Sequence, residues 1–460
     1  MSTLSSPVHL MKFLGALDVR QVARSLSGSL ATEQHFCPKD FDVDHNTGFF
    51  PPEPLPRLPR AFSMWEDALA EAQHVLSLGE DESDEAKAKR PAGEQWRAKI
   101  RSWPVLDTTV LLGDIRQLQK AHLVLAFLLH FYVHSIPLGD SHAPMYIPKP
   151  ISIPIVAVSK ELGTAPVMTF ADTVLWNWDL IHPDQPLSPD NIRYVNLFSG
   201  TETERAFYVS SGAVELKGVE MLQVIESFHS MPNVTDLASV TKIARDLGRL
   251  KGIVDDLTEI FGTIRDTVDP ESFHWQCRPW WCGSGQAASS TPQWIYEGVS
   301  SKDTQDLAGP SAGQSSVMHA LDIFLDIDHK LAQKRTPAPS ESNKKADTGF
   351  MDRMRRYMPG KHRDYLAYLS ASSRTIRDVA LAHPNLKEPY NEVVAALKRL
   401  RDVHIRVVTL YVVTMSHREP PAHIHRKPRE NGVARGTGGM EASNLLKAGR
   451  DATARAMLKD

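Results

Sequence analysis

One histidine, which lies on an apolar helical stripe, is the residue of this sequence best suited to bind a redox-active metal centre. Apolar and aromatic side chains recur around it at alternating spacings of four and three, which places them on one helix face: Val393, Leu397, Leu400, His404, Val407 and Tyr411. A neutral imidazole in an apolar cleft can serve as an axial ligand of heme iron. The periodicity alone favours a core histidine hydrogen-bonded to a distant partner, because a buried polar group needs only one.

Three further segments resemble one protein family, the indoleamine 2,3-dioxygenases, in the same order and spacing. The first, Gly309 to Ser316 (GPSAGQSS), is close to the family's GGSAGQSS. The second, Phe350 to Arg363 (FMDRMRRYMPGKHR), is close to its DMRRYMPxxHR segment. The third, Leu400 to His404 (LRDVH), resembles its LRxxH. Weaker similarity extends over 42–51, 170–178 and 207–215, so the resemblance covers most of the chain and indicates a fungal-like member. With it, the heme-ligand interpretation of His404 becomes the stronger one.

The resemblance also implies a pocket for an indole ring on the distal side of heme b. The family positions that line this pocket correspond to Phe170, Thr173, Val174, Phe207 and Tyr208. Ser211 corresponds to a serine near the indole N–H, and Phe273 to an aromatic residue that packs over the substrate. Arg278 corresponds to the arginine that pairs with the substrate carboxylate, a role that suits the guanidinium fork. Ser311 and Ala312 correspond to the stretch beside the heme.

A glycine-rich segment near the C-terminus, Arg435 to Gly439 (RGTGG), resembles the family's GTGG. The resemblance implies a mobile loop that closes over bound substrate, with Thr437 and Gly438 meeting its amino-acid portion. Glycines on both sides of Thr437 provide the backbone freedom that such a loop needs. Ser211 and Thr437 are the side chains with a predicted part in the reaction itself.

The activity that the resemblance implies is insertion of O2 across the C2–C3 bond of L-tryptophan, giving N-formylkynurenine and opening the kynurenine route. The cofactor carries the oxygen chemistry, so no side-chain general base is obligatory. Several residues depart from the family pattern: Pro310, His319, Arg353, His274 and the cluster Trp275, Trp280 and Trp281. They leave open a second hypothesis, a different indole or nitrogen heterocycle as substrate. A third is a non-catalytic heme-binding protein, although Arg278 and the glycine-rich segment argue against it.

The overall pattern predicts a mostly all-α protein. We expect a small N-terminal domain over residues 1–198, mixed but mainly helical and covering the distal side. A large helical heme domain would follow over 199–460, with mobile loops at about 333–349 and 415–440. The proline-rich stretch from Ile147 to Pro154 should not form regular helix, because each proline removes an N–H donor. The apolar run from Leu123 to Leu138 predicts a buried helix, since it is too short for a membrane span.

The bulk composition narrows the class of partner. The formal net charge is −3, which offers no general attraction to nucleic acid or to an anionic membrane. The three cysteines are too few for a disulfide framework, and the N-terminus lacks a signal-peptide pattern, so we expect a cytoplasmic protein. His417, His423 and His425 in the basic tail, and Cys277 with Cys282, are poor candidates for a metal site. The expected partners are an indole and O2, bound by a monomer.

Overall fold

The computed structural model describes residues 37–137, 144–284, 292–425, 435–439 and 441–459, and helices predominate in them. The first half contains α1 (Ser63–Val75), α2 (Asp84–Arg101), α3 (Ile115–His134) and α4 (Lys149–Leu162). The second contains α5 (Glu202–His229), α6 (Leu237–Thr267), α7 (Ser316–Phe324), α8 (Glu341–Lys345), α9 (Phe350–Arg355), α10 (Gly360–Ala371), α11 (Ile376–Ala382), α12 (Pro384–Val408) and α13 (Ala442–Ala456). The predicted mostly α-helical fold is confirmed.

Strands form two small two-stranded sheets in the described part of the chain. In the first, β1 (Met145–Ile147) pairs in parallel with β4 (Trp294–Tyr296). In the second, β2 (Trp178–Leu180) pairs antiparallel with β3 (Ile192–Tyr194). The N-terminal residues 1–36, to which the signal-peptide prediction applied, and residues 426–434 of the tail lie outside the described residues.

Helix α3 is buried, as its apolar run predicted, and it supports the segment that carries Arg278. Every residue from Leu123 to Val133 is buried. His130 Nδ1 lies 2.7 Å from the carbonyl oxygen of Trp280, and His134 Nε2 lies 2.9 Å from that of Cys282. No helix in the described ranges is both long enough and apolar enough to cross a membrane.

The prediction that the stretch from Ile147 to Pro154 is not regular helix was wrong, because α4 begins at Lys149 and contains two prolines. Pro150 stands in the first turn, where N–H groups have no intrahelical partner in any case. Pro154 does remove a donor from the helix. Burial of Ile151, Ile155 and Val158 offsets that loss, since each such side chain contributes about 1.5–3 kcal/mol.

Helix α6 packs along both α5 and α12, and these three long helices form the framework of the C-terminal half. Side chains cap two of them: the Thr201 hydroxyl accepts from Glu204 N at 3.2 Å, and an Asp236 carboxylate oxygen accepts from Ser239 N at 2.9 Å. Helix α13 packs against α12. The buried apolar cluster runs from Val43 to Leu458 and continues across residue 198. The division into two domains at that residue stays a prediction.

The segment 333–349, whose composition is that of a linker, contains α8. Ser340 and Asn343 form a reciprocal capping box at its start. The Asn343 side chain is buried, where it donates to Asp451 at 2.9 Å and accepts from Arg455 at 3.0 Å. The segment therefore packs against α13, although polar composition alone indicated a solvated connection. Its mobility, like that of residues 415–440, stays a prediction.

Candidate active site

One internal cavity brings together the residues that the sequence analysis predicted to form the site. Its volume is about 360 Å³, within the range of small-molecule sites, and its walls are mainly apolar. The predicted site residues that line it are Phe170, Thr173, Val174, Phe207, Tyr208, Ser211, Phe273, Arg278, Ser311, Ala312, His404, Thr437 and Gly438. They come from positions far apart in the sequence. Their convergence is a property of the fold that short motifs could not establish.

His404 lies near the C-terminal end of α12 and projects into this cavity. Its ring packs against Phe261 of α6, with 5.6 Å between the ring centroids. Neither ring nitrogen has a hydrogen-bond partner among the residues that the structure describes. Burial, and secondarily the positive charge of Arg401, lower the pKa of His404 to about 4, so the imidazole is neutral at pH 7. The distant partner required by the core-histidine interpretation is therefore not found in the described part of the chain.

A charged network lies one helical turn before His404. Arg401 donates to a carboxylate oxygen of Asp322, and His329 Nε2 lies 2.7 Å from the other. Burial opposes ionisation of Asp322, but Arg401 and His329 outweigh it and hold the pKa of this carboxyl below its usual range. Sequence reasoning missed Asp322 and His329, although the arginine of the LRDVH segment needs an acidic partner when buried. The network fixes the polar end of the cavity.

The opposite wall is aromatic. Phe207 of α5, Phe273 and Trp281 pack together, with ring centroids 4.9–5.6 Å apart. Tyr208 accepts from the Trp281 indole N–H at 3.0 Å and donates to Glu204 at 3.1 Å, so its hydroxyl is fully used in bracing this wall. The aromatic wall therefore presents an apolar surface to the cavity, and such a surface suits an indole ring.

Three π-helical segments contribute to the cavity lining: Ala171–Leu175, Phe273–Cys277 and Thr409–Thr414. The helix-face pattern around His404 extends to Tyr411 and predicted ordinary helix over the start of the third. A π turn widens the helix by one residue and often occurs at functional sites. The 3.6-residue spacing of apolar side chains that predicts an α-helix does not predict a π turn within it.

Ser211 lies on α5 one turn after Phe207, whose carbonyl oxygen accepts its hydroxyl hydrogen at 2.9 Å. The oxygen lone pairs remain available to accept a hydrogen bond from a substrate N–H. We expect Ser211→Ala to raise KM for an indole substrate by about fivefold, the value of one ordinary hydrogen bond. Steady-state kinetics of this variant and of Ser210→Ala, its neighbour, measure the effect. A fall in kcat of more than about 100-fold would instead make Ser211 a participant in the reaction.

Arg278 and the glycine-rich segment meet beside the cavity. Arg278 is buried and donates from Nη2 to the carbonyl oxygen of Arg435. The Thr437 hydroxyl donates to the carbonyl oxygen of Pro310, and Gly309 N donates to the Thr437 carbonyl at 3.2 Å. Pro310, which stands where the family motif has glycine, therefore lacks a backbone N–H but keeps the carbonyl oxygen that accepts from Thr437. The segment lies over the cavity in this structure.

The other departures from the family pattern brace the walls. His319 Nε2 lies 2.9 Å from the Gly313 carbonyl oxygen, and its Nδ1 accepts from Arg355 at 3.2 Å. Burial, followed by the charge of Arg355, lowers the pKa of His319 to about 4, so the imidazole is neutral and accepts from the Arg355 guanidinium. His274 Nδ1 lies 3.1 Å from the Tyr411 carbonyl oxygen. Arg353 forms an ion pair with Asp347. Of the three tryptophans, Trp281 lines the cavity and Trp275 packs with Met415 and Ile424.

Comparison with known proteins places this chain in a family. The family model described as "Indoleamine 2,3-dioxygenase" matches residues 37–456. The chain belongs to the indoleamine 2,3-dioxygenase family. Indoleamine 2,3-dioxygenases are heme-dependent oxidoreductases, so this chain is an enzyme of the heme dioxygenase class. The family resemblance drawn from the three motifs is confirmed.

Individual relatives within the indoleamine 2,3-dioxygenase family carry different names. The chain is 30% identical to indoleamine 2,3-dioxygenase 1 of Mus musculus over 424 residues, 91% of this chain and 95% of that protein. It is 27% identical to a 6-hydroxytryptophan 2,3-dioxygenase of Fusarium equiseti, over 89% of this chain and 95% of that protein. It is 32% identical to a protein of Haliotis madaka named myoglobin, over 79% of this chain and 87% of that protein.

Proposed function

We propose that the protein cleaves the indole ring of L-tryptophan with O2 to give N-formylkynurenine, as the first step of a kynurenine route. One observation carries the proposal. A neutral imidazole without a hydrogen-bond partner in the described residues, His404, shares a mainly apolar cavity with a buried guanidinium, Arg278. The first suits an iron ligand and the second suits the carboxylate of an amino acid.

The residues present fit heme b. His404 would hold the iron, while Ser311 and Ala312 would lie beside the ring. The ionic network of Arg401, Asp322 and His329 lies at one end of this mainly apolar cavity. When bound, heme supplies the oxygen activation that insertion across the indole C2–C3 bond needs. The protein contributes the neutral imidazole and exclusion of water.

The substrate would be oriented from its two ends. Arg278 takes the carboxylate, and Thr437 and Gly438 close over the amino-acid portion. The indole ring packs against Phe207 and Phe273, between these aromatic residues and the wall formed by Phe170, Thr173, Val174 and Tyr208. Ser211 is placed to accept from the ring N–H. Fixing both ends holds the reacting bond in one position, which is the main contribution of such a site to rate.

The decisive experiment is a single-turnover test of product formation. Protein loaded with heme is reduced without air and then mixed with O2 and L-tryptophan, and products are separated by chromatography and mass spectrometry. We expect N-formylkynurenine, with both added oxygen atoms labelled when 18O2 is used. Fully loaded ferrous protein that binds L-tryptophan yet forms no product would refute the proposal.

A second candidate is dioxygenation of another indole in specialised metabolism. The named activity of the Fusarium equiseti relative toward 6-hydroxytryptophan favours it, as does Pro310 in the cavity wall. Relative kcat/KM for L-tryptophan, hydroxylated tryptophans and tryptamine distinguishes the two candidates. A preference for a substituted ring of more than about tenfold would favour the second.

A third candidate, a heme-binding protein without catalysis, draws support from the relative named myoglobin. It predicts reversible O2 binding and a heme spectrum that L-tryptophan leaves unchanged. We favour the enzyme, because a heme carrier has no need of Arg278 held over the cavity. We further propose a cytoplasmic monomer, consistent with three free cysteines, whose partners are O2 and the indole rather than nucleic acid or membrane.

A further inference from the structure

A buried acid in the cavity wall is not used by the function proposed above. Glu215 lies on α5 one turn after Ser211, is 2% exposed and lines the cavity. The Ser315 hydroxyl, at the start of α7, donates to its Oε1 atom. Its Oε2 atom is buried and has no hydrogen-bond partner within the described ranges. A carboxyl with one unpaired buried oxygen is costly to ionise and requires an explanation.

The surroundings of Glu215 keep it neutral. Burial raises its pKa to about 7, and the Ser315 hydrogen bond is the sole opposing influence. Tyr194 of β3 faces it, and burial, then the proximity of Glu215, raises the pKa of that phenol well above its usual range. Helices α6 and α7 contribute no charge that alters Glu215. The same holds for the other titratable groups lining the cavity, which are Tyr208, Arg278, Asp322, His329, Asp347, Arg401, His404, Tyr411 and Arg455.

We propose that Glu215 sets the polarity of the indole pocket and thereby the affinity for substrate, its neutral form admitting the ring and its ionised form opposing it. The inference rests on the proposed function, since it concerns the pocket for the indole. An aromatic ring that packs beside an unpaired carboxylate removes water from the charge without replacing it, which disfavours binding. A neutral acid carries a much smaller penalty.

The direction of the pH dependence follows from the raised pKa. Glu215 is mainly neutral at pH 6 and mainly ionised at pH 8. If the neutral form alone admits the ring, the Kd for an indole is about tenfold higher at pH 8 than at pH 6. The same ionisation opposes folding, so Glu215 also destabilises the protein as the pH rises above the ordinary pKa of a carboxyl.

The test uses heme-loaded protein titrated with L-tryptophan, and in parallel with uncharged indole, followed by the heme absorbance. For wild type we expect the tenfold loss of affinity between pH 6 and pH 8. Glu215→Gln keeps the shape of the side chain without the titration, so its Kd should be the same at both pH values. Ser315→Ala removes the hydrogen bond that lowers the pKa of Glu215, so we expect the transition in Kd to move to higher pH. A transition that moves to lower pH would contradict this role of Ser315.

Glu204 provides a matched control on the same helix. It is also buried, but its carboxylate oxygens accept hydrogen bonds from Ser199 and Tyr208 and from the backbone N–H of Phe198. It does not line the cavity, so Glu204→Gln should retain the wild-type pH profile of binding. A wild-type profile in Glu215→Gln overturns the inference.

A second measurement keeps this inference distinguishable from the proposed function. Denaturant unfolding of wild type and Glu215→Gln at pH 5 and pH 8 reports the ionisation of Glu215 whether or not an indole binds. We expect the variant to gain stability relative to wild type at pH 8. Equal pH dependence of the two proteins overturns the inference even if tryptophan turns over normally. Absence of any spectral change with indoles counts against the proposed function instead.

Discussion

His404→Ala should lose heme and, with it, dioxygenase activity. Removing groups that merely support a metal ligand lowers metal affinity by about 10–100-fold, so removing the ligand itself should cost more than about 100-fold. Heme content after gel filtration, the ferrous–CO spectrum and the rate of heme transfer to apomyoglobin measure the effect. The stabilisation that heme gives to wild type in thermal unfolding should disappear as well, because it depends on binding.

His362→Ala is the matched control for this experiment. His362 is fully buried on α10, and burial lowers its pKa to about 4, as for His404, but it does not line the cavity. We expect it to alter stability while heme retention per folded molecule stays at the wild-type level. Restoration of the CO spectrum by added imidazole in His404→Gly would confirm the ligand directly. Equal heme retention and unchanged axial ligation in His404→Ala would exclude His404 as the ligand.

Arg278→Met should impair recognition of L-tryptophan far more than the reaction of bound substrate. Loss of a buried, charge-assisted pair typically costs about 2–4 kcal/mol, which corresponds to a fall in kcat/KM of about 30–1,000-fold. Most of this should appear in KM. Arg278→Lys keeps the charge but loses the planar fork, so it should recover only part of the affinity.

Tryptamine supplies the internal control for Arg278, because it has the indole ring but no carboxylate. Wild type and Arg278→Met should therefore process tryptamine within a few fold of each other. Steady-state oxygen consumption with both substrates measures the comparison. An equal loss for tryptamine and L-tryptophan would show that Arg278 serves the architecture of the cavity rather than the carboxylate.

The helical framework and the lining of the cavity could be predicted from the sequence where a local pattern carries the information. The apolar stripe around His404 indicated its helix face, and the family resemblance carried by the three motifs indicated which residues should share a pocket. The burial of α3 could be predicted in the same way, because the stretch from Leu123 to Val133 is almost entirely apolar or aromatic, with His130 as its main interruption. Each of these predictions depends on residues close together in sequence.

What the sequence analysis missed depends on contacts between distant segments. Glu215 and Asp322 look like ordinary surface acids in their own helices, and only the packing of α5 and α7 buries them. The prolines of α4 argued against a helix, yet burial of the apolar residues beside and after them stabilises one. The polar segment around Asn343 was assigned to a linker because its partners, Asp451 and Arg455, lie more than 100 residues away.

The hydrogen bonds from His130 and His134 to the backbone of Trp280 and Cys282 have a consequence for how the enzyme could fail. They tether the segment bearing Arg278, the proposed carboxylate-binding residue, to a helix from the first third of the chain, whereas His404, the proposed iron ligand, lies on a helix near the other end. Substitutions that disrupt α3 should therefore weaken discrimination between amino acids while the protein retains the absorbance of bound heme. Substitutions that disrupt α12 should instead cause loss of heme and its absorbance, while the segment that carries Arg278 keeps its structure but has no reaction to serve.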